Sequence, residues 1–184
     1  MKRTQLAHVL RAAAEISGEK SFVLVGSQAV LLLLEQPEGR LTLSEEIDLY
    51  PAVAPDKADL IDGALGALSP FHDEFGYHAD GVSPDTAVMP ADWMDRAVFH
   101  YFGDITAICP DLHDLAVSKC VAGREKDAEF LRALFEQGQR SAWAVDVLVR
   151  AKHNRVLPDR QAEAKPTMSS PSNASQVLPS SSNN

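Results

Sequence analysis

The feature that most constrains the fold is a short apolar run that passes through Gly-Ser directly into a helix-length segment. Residues 21–25 read SFVLV, and this density of β-branched and aromatic side chains predicts a strand. Gly26 and Ser27 follow, and residues 28–36 have the length of a helix before Pro37 ends it. A strand, a tight turn and a helix in this order predict an α/β fold.

The remaining segments predict a small mixed sheet with flanking helices and a C-terminal helical segment. Apolar residues at helical spacing indicate a first amphipathic helix that ends at Gly18. Further helices are predicted over residues 56–68, 111–121, 124–137 and 142–153. Strands are predicted over residues 46–50 and 75–79, and an antiparallel hairpin over residues 97–102 and 105–109.

The chain is long enough for one domain and one core. It has 184 residues, of which 45% are hydrophobic. We expect this domain to span residues 1–157, with its core in 20–110 and its C-terminal helices in 111–157. Residues 158–184 are rich in Ser, Pro and Asn, a composition that predicts a disordered tail.

Charge and hydropathy exclude several classes of protein. Lys and Arg number 17 against 26 Asp and Glu, and a net charge of -9 argues against whole-surface binding to duplex nucleic acid. The longest apolar stretch, residues 22–34, is broken by Gly26, Ser27 and Gln28, so no membrane span is expected. The N-terminus has no clean hydrophobic signal region, which favours a cytoplasmic protein.

Two carboxylates lie two residues apart in the predicted strand 46–50. Glu46 and Asp48 therefore share one face of the strand, while Ile47 and Leu49 enter the core from the other. Such a pair repels unless both groups converge on a divalent cation, and hard oxygen ligands suit Mg²⁺. The alternative is a solvated strand face, because charged residues are mostly exposed.

The Gly26-Ser27 turn has the composition of a phosphate-binding turn. The N–H groups at a helix start favour a phosphate, Gly lets the backbone approach it, and Ser adds a hydroxyl. The turn matches neither the P-loop nor the dinucleotide-binding pattern. The alternative is an ordinary helix N-cap.

Together these segments, FVLVGSQAV followed by SEEIDLYP, resemble the nucleotidyltransferase superfamily with the polymerase-β-like fold. The core pattern of that superfamily is an apolar strand, Gly-Ser, a helix and an acid-x-acid strand. Ser44 fits the Ser/Thr-x-acid-x-Asp form of the branch that contains toxin-like and minimal bacterial nucleotidyltransferases. The first acid is Glu46 where Asp is commoner, which lengthens this ligand by one methylene.

The second half of the chain places charges on the apolar faces of two predicted helices. Lys119 is in line with Leu115, and Asp127 is in line with Phe130, so both charges need partners. The segment DLHDLAVSKCVAGREKDAEFLRAL resembles the Lys helix and the Arg-x-Lys-Asp helix of bacterial nucleotidyltransferase-like proteins.

This likeness, over residues 4–137, assigns roles to the charges. It implies that Lys119 contacts nucleotide phosphates, and that Arg124, Lys126 and Asp127 line or brace the pocket. The alternative for residues 124–126 is a solvated helix turn.

Active members of the superfamily normally carry a third carboxylate on a neighbouring strand, where it helps to hold metal and to draw a proton from the attacking hydroxyl. Asp80, after the predicted strand 75–79, is the candidate. Asp104 sits at a hairpin tip and is typical of a turn residue. His72 and His78 lack a zinc-protease spacing and are expected to be packed or solvated.

The resemblance implies an Mg²⁺-dependent enzyme that moves NMP from a nucleoside triphosphate to an acceptor hydroxyl on RNA, protein or a small molecule. The predicted catalytic residues are Glu46, Asp48, Lys119 and Asp127, with Glu46 and Asp48 as metal ligands. The predicted nucleotide-binding residues are Gly26, Ser27, Ser44, Lys119, Arg124 and Lys126.

Two other classes of function are compatible with the sequence. One is a catalytically silent nucleotide-binding protein or toxin–antitoxin component with the same fold. The other is an interaction domain whose C-terminal helices contact RNA such as tRNA. The basic residues available for that contact are Arg132, Arg140, Arg150, Lys152 and Arg155.

Overall fold

The computed structural model describes residues 1–137 of the chain. Its helices are α1 (Arg3–Ser17), α2 (Val30–Leu33), α3 (Ala58–Leu65), α4 (Pro70–Phe75), α5 (Leu112–Ala122) and α6 (Glu125–Gln137). Its strands are β1 (Ser21–Leu24), β2 (Glu46–Pro51), β3 (His78–Gly81), β4 (Val98–Phe102) and β5 (Ile105–Cys109). The predicted helix 142–153 and the predicted tail 158–184 lie outside the described residues.

The strands form one mixed sheet in the order β3-β2-β1-β5-β4. Strand β1 pairs antiparallel with β2 and parallel with β5. Strand β2 pairs parallel with β3, and β4 pairs antiparallel with β5 as the predicted hairpin. The prediction of a small mixed sheet with flanking helices is therefore confirmed.

The main core lies on one face of this sheet. It joins apolar residues of α1, such as Leu6 and Leu10, to Ile47 of β2 and Leu115 of α5. Ile47 and Leu49 are buried as predicted, and Glu46 and Asp48 alternate with them as half-buried residues. The acidic face of β2 is thus the face turned away from this core.

Glycine ends two of the helices where the sequence predicts. Gly18 after α1 and Gly123 after α5 both adopt left-handed backbone angles, with φ of 71° and 64°. The N–H of each donates back to the preceding turn, to the carbonyl of Ala14 and of Lys119 respectively. Gly123 therefore sets the bend between α5 and α6, on which the second half of the site depends.

The strand predicted over residues 75–79 is wrong in its bounds. Ser69 caps a short helix, α4, by accepting the His72 N–H at 3.2 Å, and this helix takes up Phe75. Strand β3 starts at His78 and extends through Gly81, two residues beyond the predicted end. Gly81 pairs with Leu49 of β2, and this position requires glycine because a Cβ there would lie 1.9 Å from the Ala58 carbonyl oxygen of α3.

Two predicted helices are shorter than expected. The helix predicted over residues 56–68 is a 3₁₀ turn at Pro55–Lys57 followed by α3. The helix predicted over residues 28–36 is a 3₁₀ turn at Ser27–Ala29 followed by the four residues of α2. The chain turns back early there because the buried Gln28 amide donates to the Leu41 carbonyl at 3.2 Å. Within residues 1–137, none of the helices has the length and apolar content to cross a bilayer.

Candidate active site

A cleft of about 450 Å³ opens between the β1–β2 part of the sheet and helices α5 and α6. The predicted catalytic, metal-binding and nucleotide-binding residues all line this cleft, whereas the candidate third acid, Asp80, does not: the lining includes Gly26, Ser27, Ser44, Glu46, Asp48, Lys119, Arg124, Lys126 and Asp127. The first five come from the β1–β2 segment, and the other four come from α5, α6 and the bend between them. The structure therefore brings together two groups of residues that are far apart in the chain.

The Gly26-Ser27 turn lies directly against Asp48. Gly26 has extended backbone angles and starts the 3₁₀ turn Ser27–Ala29. A Cβ built on Gly26 would lie 1.8 Å from Asp48 Oδ2, so only glycine lets the carboxylate rest against the backbone. The helix that follows, α2, has only four residues, so it has no long helix dipole that would attract a phosphate to this turn. Ser27 lines the cleft, and its hydroxyl offers a hydrogen-bond donor beside the backbone N–H groups of the turn.

Strand pairing places a third carboxylate beside the predicted pair. Asp48 of β2 is the register partner of Asp80 of β3. Their side chains share a face, because the intervening Ile47 and Ala79 are both buried in the core on the other side. Asp80 therefore lies on the strand next to the Glu46–Asp48 pair and on the same face of the sheet. Asp80 does not line the cleft itself, but it lies beside Asp48, which does.

Asp104 is the turn residue that its position at a hairpin tip predicts. It forms an exposed ion pair with Lys20, with 69% of its side chain accessible to solvent. Hydrogen bonding to Lys20 lowers the pKa of the Asp104 carboxyl. These contacts lie at the far end of the hairpin, whereas Asp80 is the carboxylate that strand pairing brings beside Asp48.

Burial and neighbouring negative charge raise the pKa of two carboxyls on the acidic face, Asp48 and Asp80. Burial, followed by the negative charge of Glu46, raises the pKa of Asp48 to about 6, and Lys119 opposes this shift. Burial also raises the pKa of Asp80, with a further contribution from Glu46 and an opposing one from His78. A face with this electrostatic character gains from a bound cation.

Lys119 provides a buried positive charge on the opposite wall. Only 10% of its side chain is exposed, and its Nζ lies 3.7 Å from Asp127 Oδ1. Burial lowers the pKa of Lys119, as do the positive charges of Arg124 and Lys126, whereas Asp127 and Asp48 raise it. An incoming phosphate would add negative charge beside an ammonium group that has lost most of its water.

Asp127 holds two cations in place. Its Oδ2 accepts the Arg124 Nε–H at 2.7 Å and the Arg124 backbone N–H at 3.2 Å, and its Oδ1 faces Lys119. Burial alone would raise the pKa of Asp127, but these bonds to Arg124 and the charge of Lys119 hold it below its ordinary value. Arg124 is 56% exposed, so its guanidinium remains accessible in the cleft.

Ser44 and Lys126 also take positions on the cleft wall. The Ser44 Oγ accepts the Glu46 N–H at 3.3 Å, which fixes the start of β2. Lys126 lines the cleft beside Arg124, whereas the intervening Glu125 does not. All three residues are exposed, so the pocket role of Arg124 and Lys126 stays a prediction beside the solvated-turn alternative.

Sequence reasoning missed several cleft residues. Arg40 reaches the cleft from the 3₁₀ turn Gly39–Thr42 and pairs with Glu129 of α6 at 2.7 Å. Thr86 and Val88 line the cleft from a loop that carries no motif. No local pattern in the sequence marks these residues, because their positions depend on which segments pack together.

Comparison with protein families now adds to this geometry. A family model described as a nucleotidyltransferase of unknown function (DUF6036) matches residues 4–157. The chain belongs to this nucleotidyltransferase family. Membership gives the protein a general role in nucleotidyl transfer and a nucleotide as its substrate. Comparisons with curated proteins and with solved structures give no match.

Nucleotidyltransferases generally use divalent metals, and the acidic face of this nucleotidyltransferase fits such an ion. Glu46, His78 and Asp80 each offer a ligand atom, and these atoms lie within 4.8 Å of one another. Asp48 adds a further carboxylate beside Glu46. The donor set is rich in hard oxygen atoms, which divalent cations prefer. His78 is the one member of this set for which we predicted no ligand role.

Proposed function

We propose that the protein is an Mg²⁺-dependent nucleotidyltransferase that moves NMP from a nucleoside triphosphate to an acceptor hydroxyl on RNA, protein or a small molecule. The observation that supports this most directly is the composition of the cleft. Its walls bring the acids Glu46 and Asp48 to the Gly26-Ser27 turn and to the cations on α5 and α6.

The charges suggest how the triphosphate lies in the cleft. We assign its phosphates to the Ser27 hydroxyl, Lys119 and Arg124, which are a hydroxyl donor and two cations of the lining. Asp127 acts on both cations and is a positioning residue in this proposal. The apolar part of the lining, which includes Leu43, Val88 and Phe130, receives the base.

The chemical step is an in-line displacement. The acceptor oxygen bonds to the α-phosphorus, the bond from that phosphorus to the pyrophosphate oxygen breaks, and pyrophosphate leaves. The proton of the acceptor hydroxyl passes to the Asp80 carboxylate, whose pKa burial raises. Lys119 and Arg124 offset the charge that develops on the departing pyrophosphate.

Glu46 and Asp48 would hold the metal ion. When bound, Mg²⁺ supplies Lewis-acid polarisation of the phosphate oxygens and offsets their charge. The protein's own contribution is to keep two carboxylates at hydrogen-bonding distance in spite of their repulsion. Gly26 contributes by leaving room for the Asp48 carboxylate against the turn.

The proposal is tested by transfer of a labelled nucleotide. The full-length protein is incubated with each α-³²P-labelled NTP, Mg²⁺ and, in separate reactions, total RNA, total protein and a small-molecule extract. We expect covalent label and released pyrophosphate with the wild type and neither with Asp48→Asn. Glu15→Gln is the matched control, because Glu15 is exposed on α1 and lies outside the cleft.

The assay separates the proposed enzyme from its alternatives. Binding of NTP without transfer to any acceptor favours the catalytically silent protein or toxin–antitoxin component. Absence of both binding and transfer contradicts the proposal. For the RNA alternative, Arg132 is exposed on α6, whereas Arg140, Arg150, Lys152 and Arg155 lie outside the described residues.

A further inference from the structure

We propose that His78 is a nitrogen ligand in a site that it forms with Glu46 and Asp80, and that this site takes a divalent transition-metal ion. The inference rests on the proposed function, because it specifies the metal chemistry of the same acidic face. Its starting observation is that the three side chains place one ligand atom each within 4.8 Å of one another.

The sheet explains why these residues meet. Glu46 of β2 is the register partner of His78 of β3, and the next pair on the same face is Asp48 with Asp80. The buried Ala79 between His78 and Asp80 anchors the opposite face of β3 in the core. The backbone therefore holds His78 beside Glu46 and on the same face as Asp80.

Neither acid is in direct contact with a Lys or Arg among the described residues: Arg124 acts on Glu46 only through longer-range electrostatic attraction, and His78 is a basic group that acts on Asp80. Within residues 1–137, no Lys or Arg forms an ion pair with Glu46 or Asp80, whereas Lys119 and Arg124 are both paired with Asp127 on the opposite wall. A metal ion between Glu46 and Asp80 would supply the missing positive charge.

The geometry of the His78 ring suits metal ligation better than hydrogen bonding. Its Nε2 lies 3.4 Å from Asp80 Oδ1, which is longer than an ordinary N–H···O bond. Its Nδ1 is buried and has no hydrogen-bond partner among the residues that the structure describes. The His72 ring packs against it in a tilted arrangement, with 4.4 Å between ring centroids and an interplanar angle of 43°.

The donor set determines which metals the site prefers. Carboxylates and water suit Mg²⁺, whereas imidazole adds affinity for first-row transition metals. The Glu46–Asp48 pair offers oxygen alone, but the Glu46–His78–Asp80 group offers oxygen and nitrogen. We therefore expect this group to bind Mn²⁺ or a neighbouring transition metal more tightly than Mg²⁺.

Pulsed electron paramagnetic resonance with Mn²⁺ tests this proposal. The full-length protein is loaded with Mn²⁺ alone, without nucleotide, and examined for ¹⁴N coupling to the bound ion. We expect nitrogen coupling in the wild type and its loss in His78→Gln, together with at least about a tenfold fall in Mn²⁺ affinity. His113→Gln is the control, because His113 lies beside Asp111 at the start of α5, and it should keep the coupling.

His72→Gln identifies which histidine gives the signal. The His72 Nδ1 already accepts the Leu68 N–H at 3.1 Å, so we expect this variant to keep the nitrogen coupling. Coupling that survives in His78→Gln but disappears in His72→Gln overturns the assignment. So does Mn²⁺ binding without nitrogen coupling, or an absence of Mn²⁺ binding by the wild type.

A second measurement separates this proposal from the proposed function. Thermal melts with Mg²⁺ and NTP report nucleotide binding independently of His78 coordination. Stabilisation by Mg²⁺ and NTP without nitrogen coupling leaves nucleotidyl transfer intact and overturns the role of His78. Nitrogen coupling without any nucleotide binding or transfer supports the metal site and contradicts the proposed function.

Discussion

The Asp48 carboxylate fills the space that a side chain at Gly26 would occupy: a Cβ on Gly26 would lie 1.8 Å from Asp48 Oδ2 and 2.7 Å from its Cγ. The turn after β1 and the acid on β2 are therefore positioned by each other. The Val25 N–H, one residue before the turn, also donates to the Asp48 carbonyl at 3.1 Å. Val25 and Gly26 thus position both the backbone and the side chain of Asp48.

Gly26→Ala should damage the site more than the fold. The added methyl group displaces the Asp48 carboxylate, so we expect at least about a tenfold loss of affinity for NTP with Mg²⁺. Isothermal titration calorimetry measures this loss. Gly63→Ala is the control, since nothing lies within 4 Å of a Cβ at Gly63 in α3. It should keep the affinity and gain about 0.5–1 kcal/mol of stability, and equal affinity for both variants contradicts the prediction.

Asp48→Asn should stabilise the metal-free protein at high pH. The pKa of Asp48 in the folded protein, about 6, lies above the ordinary 3.8, so the folded state holds this proton more tightly than the unfolded chain. The stability linked to this group is complete at low pH and is lost as pH rises towards about 6. We therefore expect Asp48→Asn to match the wild type near pH 4 and to exceed it by about 1–3 kcal/mol at pH 8.

Urea unfolding at both pH values measures this difference. Glu15→Gln, on the exposed surface of α1, should follow the wild type at each pH. Addition of Mg²⁺ and NTP should make the wild type more stable than Asp48→Asn, because the wild type retains both proposed metal-binding carboxylates and the variant does not. A constant difference between Asp48→Asn and the wild type across this pH range would show that the Asp48 carboxyl titrates normally.

Lys119→Met should weaken nucleotide binding without unfolding the protein. The substitution removes the ammonium group from the cleft, but Asp127 keeps its hydrogen bonds to Arg124. We expect at least about a tenfold loss of NTP affinity, measured with a fluorescent nucleotide. Lys20→Met removes an equal charge from the exposed pair with Asp104 and should leave the affinity unchanged. Similar affinities for the two variants would remove Lys119 from the phosphate site.

Deletion of residues 158–184 should have little effect. This segment lies beyond both the described residues and the family match, and its Ser, Pro and Asn content offers little apolar surface to bury. We expect the melting temperature and the NTP affinity of a chain ending at Leu157 to equal those of the full-length protein. A fall of many degrees would mean that part of this segment packs on the domain.

The parts of the site that depend on local periodicity could be predicted from the sequence. Period-two alternation in residues 46–50 assigned Glu46 and Asp48 to one face, and Ile47 is buried as this alternation requires. Helical spacing likewise placed Lys119 and Asp127 on the apolar faces of their helices, where the structure buries both residues. Each of these positions follows from the periodicity of one strand or one helix, so it could be predicted without knowing which segments pack together.

Strand β3 could not be predicted in the same way. Its four residues, His78–Gly81, include only one buried residue, Ala79, which is too little for a clear alternation. The need for Gly81 comes from the Ala58 carbonyl of α3, a contact between distant segments. Because β3 was misplaced, His78 had no visible partner. The pattern polar-apolar-acid, which Glu46–Asp48 and His78–Asp80 share, is the sequence signal that could have indicated it.

The division of the cleft between two halves of the chain couples ligand binding to the completion of folding. The carboxylates Glu46 and Asp48 lie in β2, whereas the Lys119–Asp127 pair follows the β4–β5 hairpin. A partly folded chain with α5 and α6 undocked would retain the acidic sheet face without its cations. Nucleotide therefore stabilises only the fully assembled domain, and its binding should slow amide hydrogen exchange in β2 and α5 together.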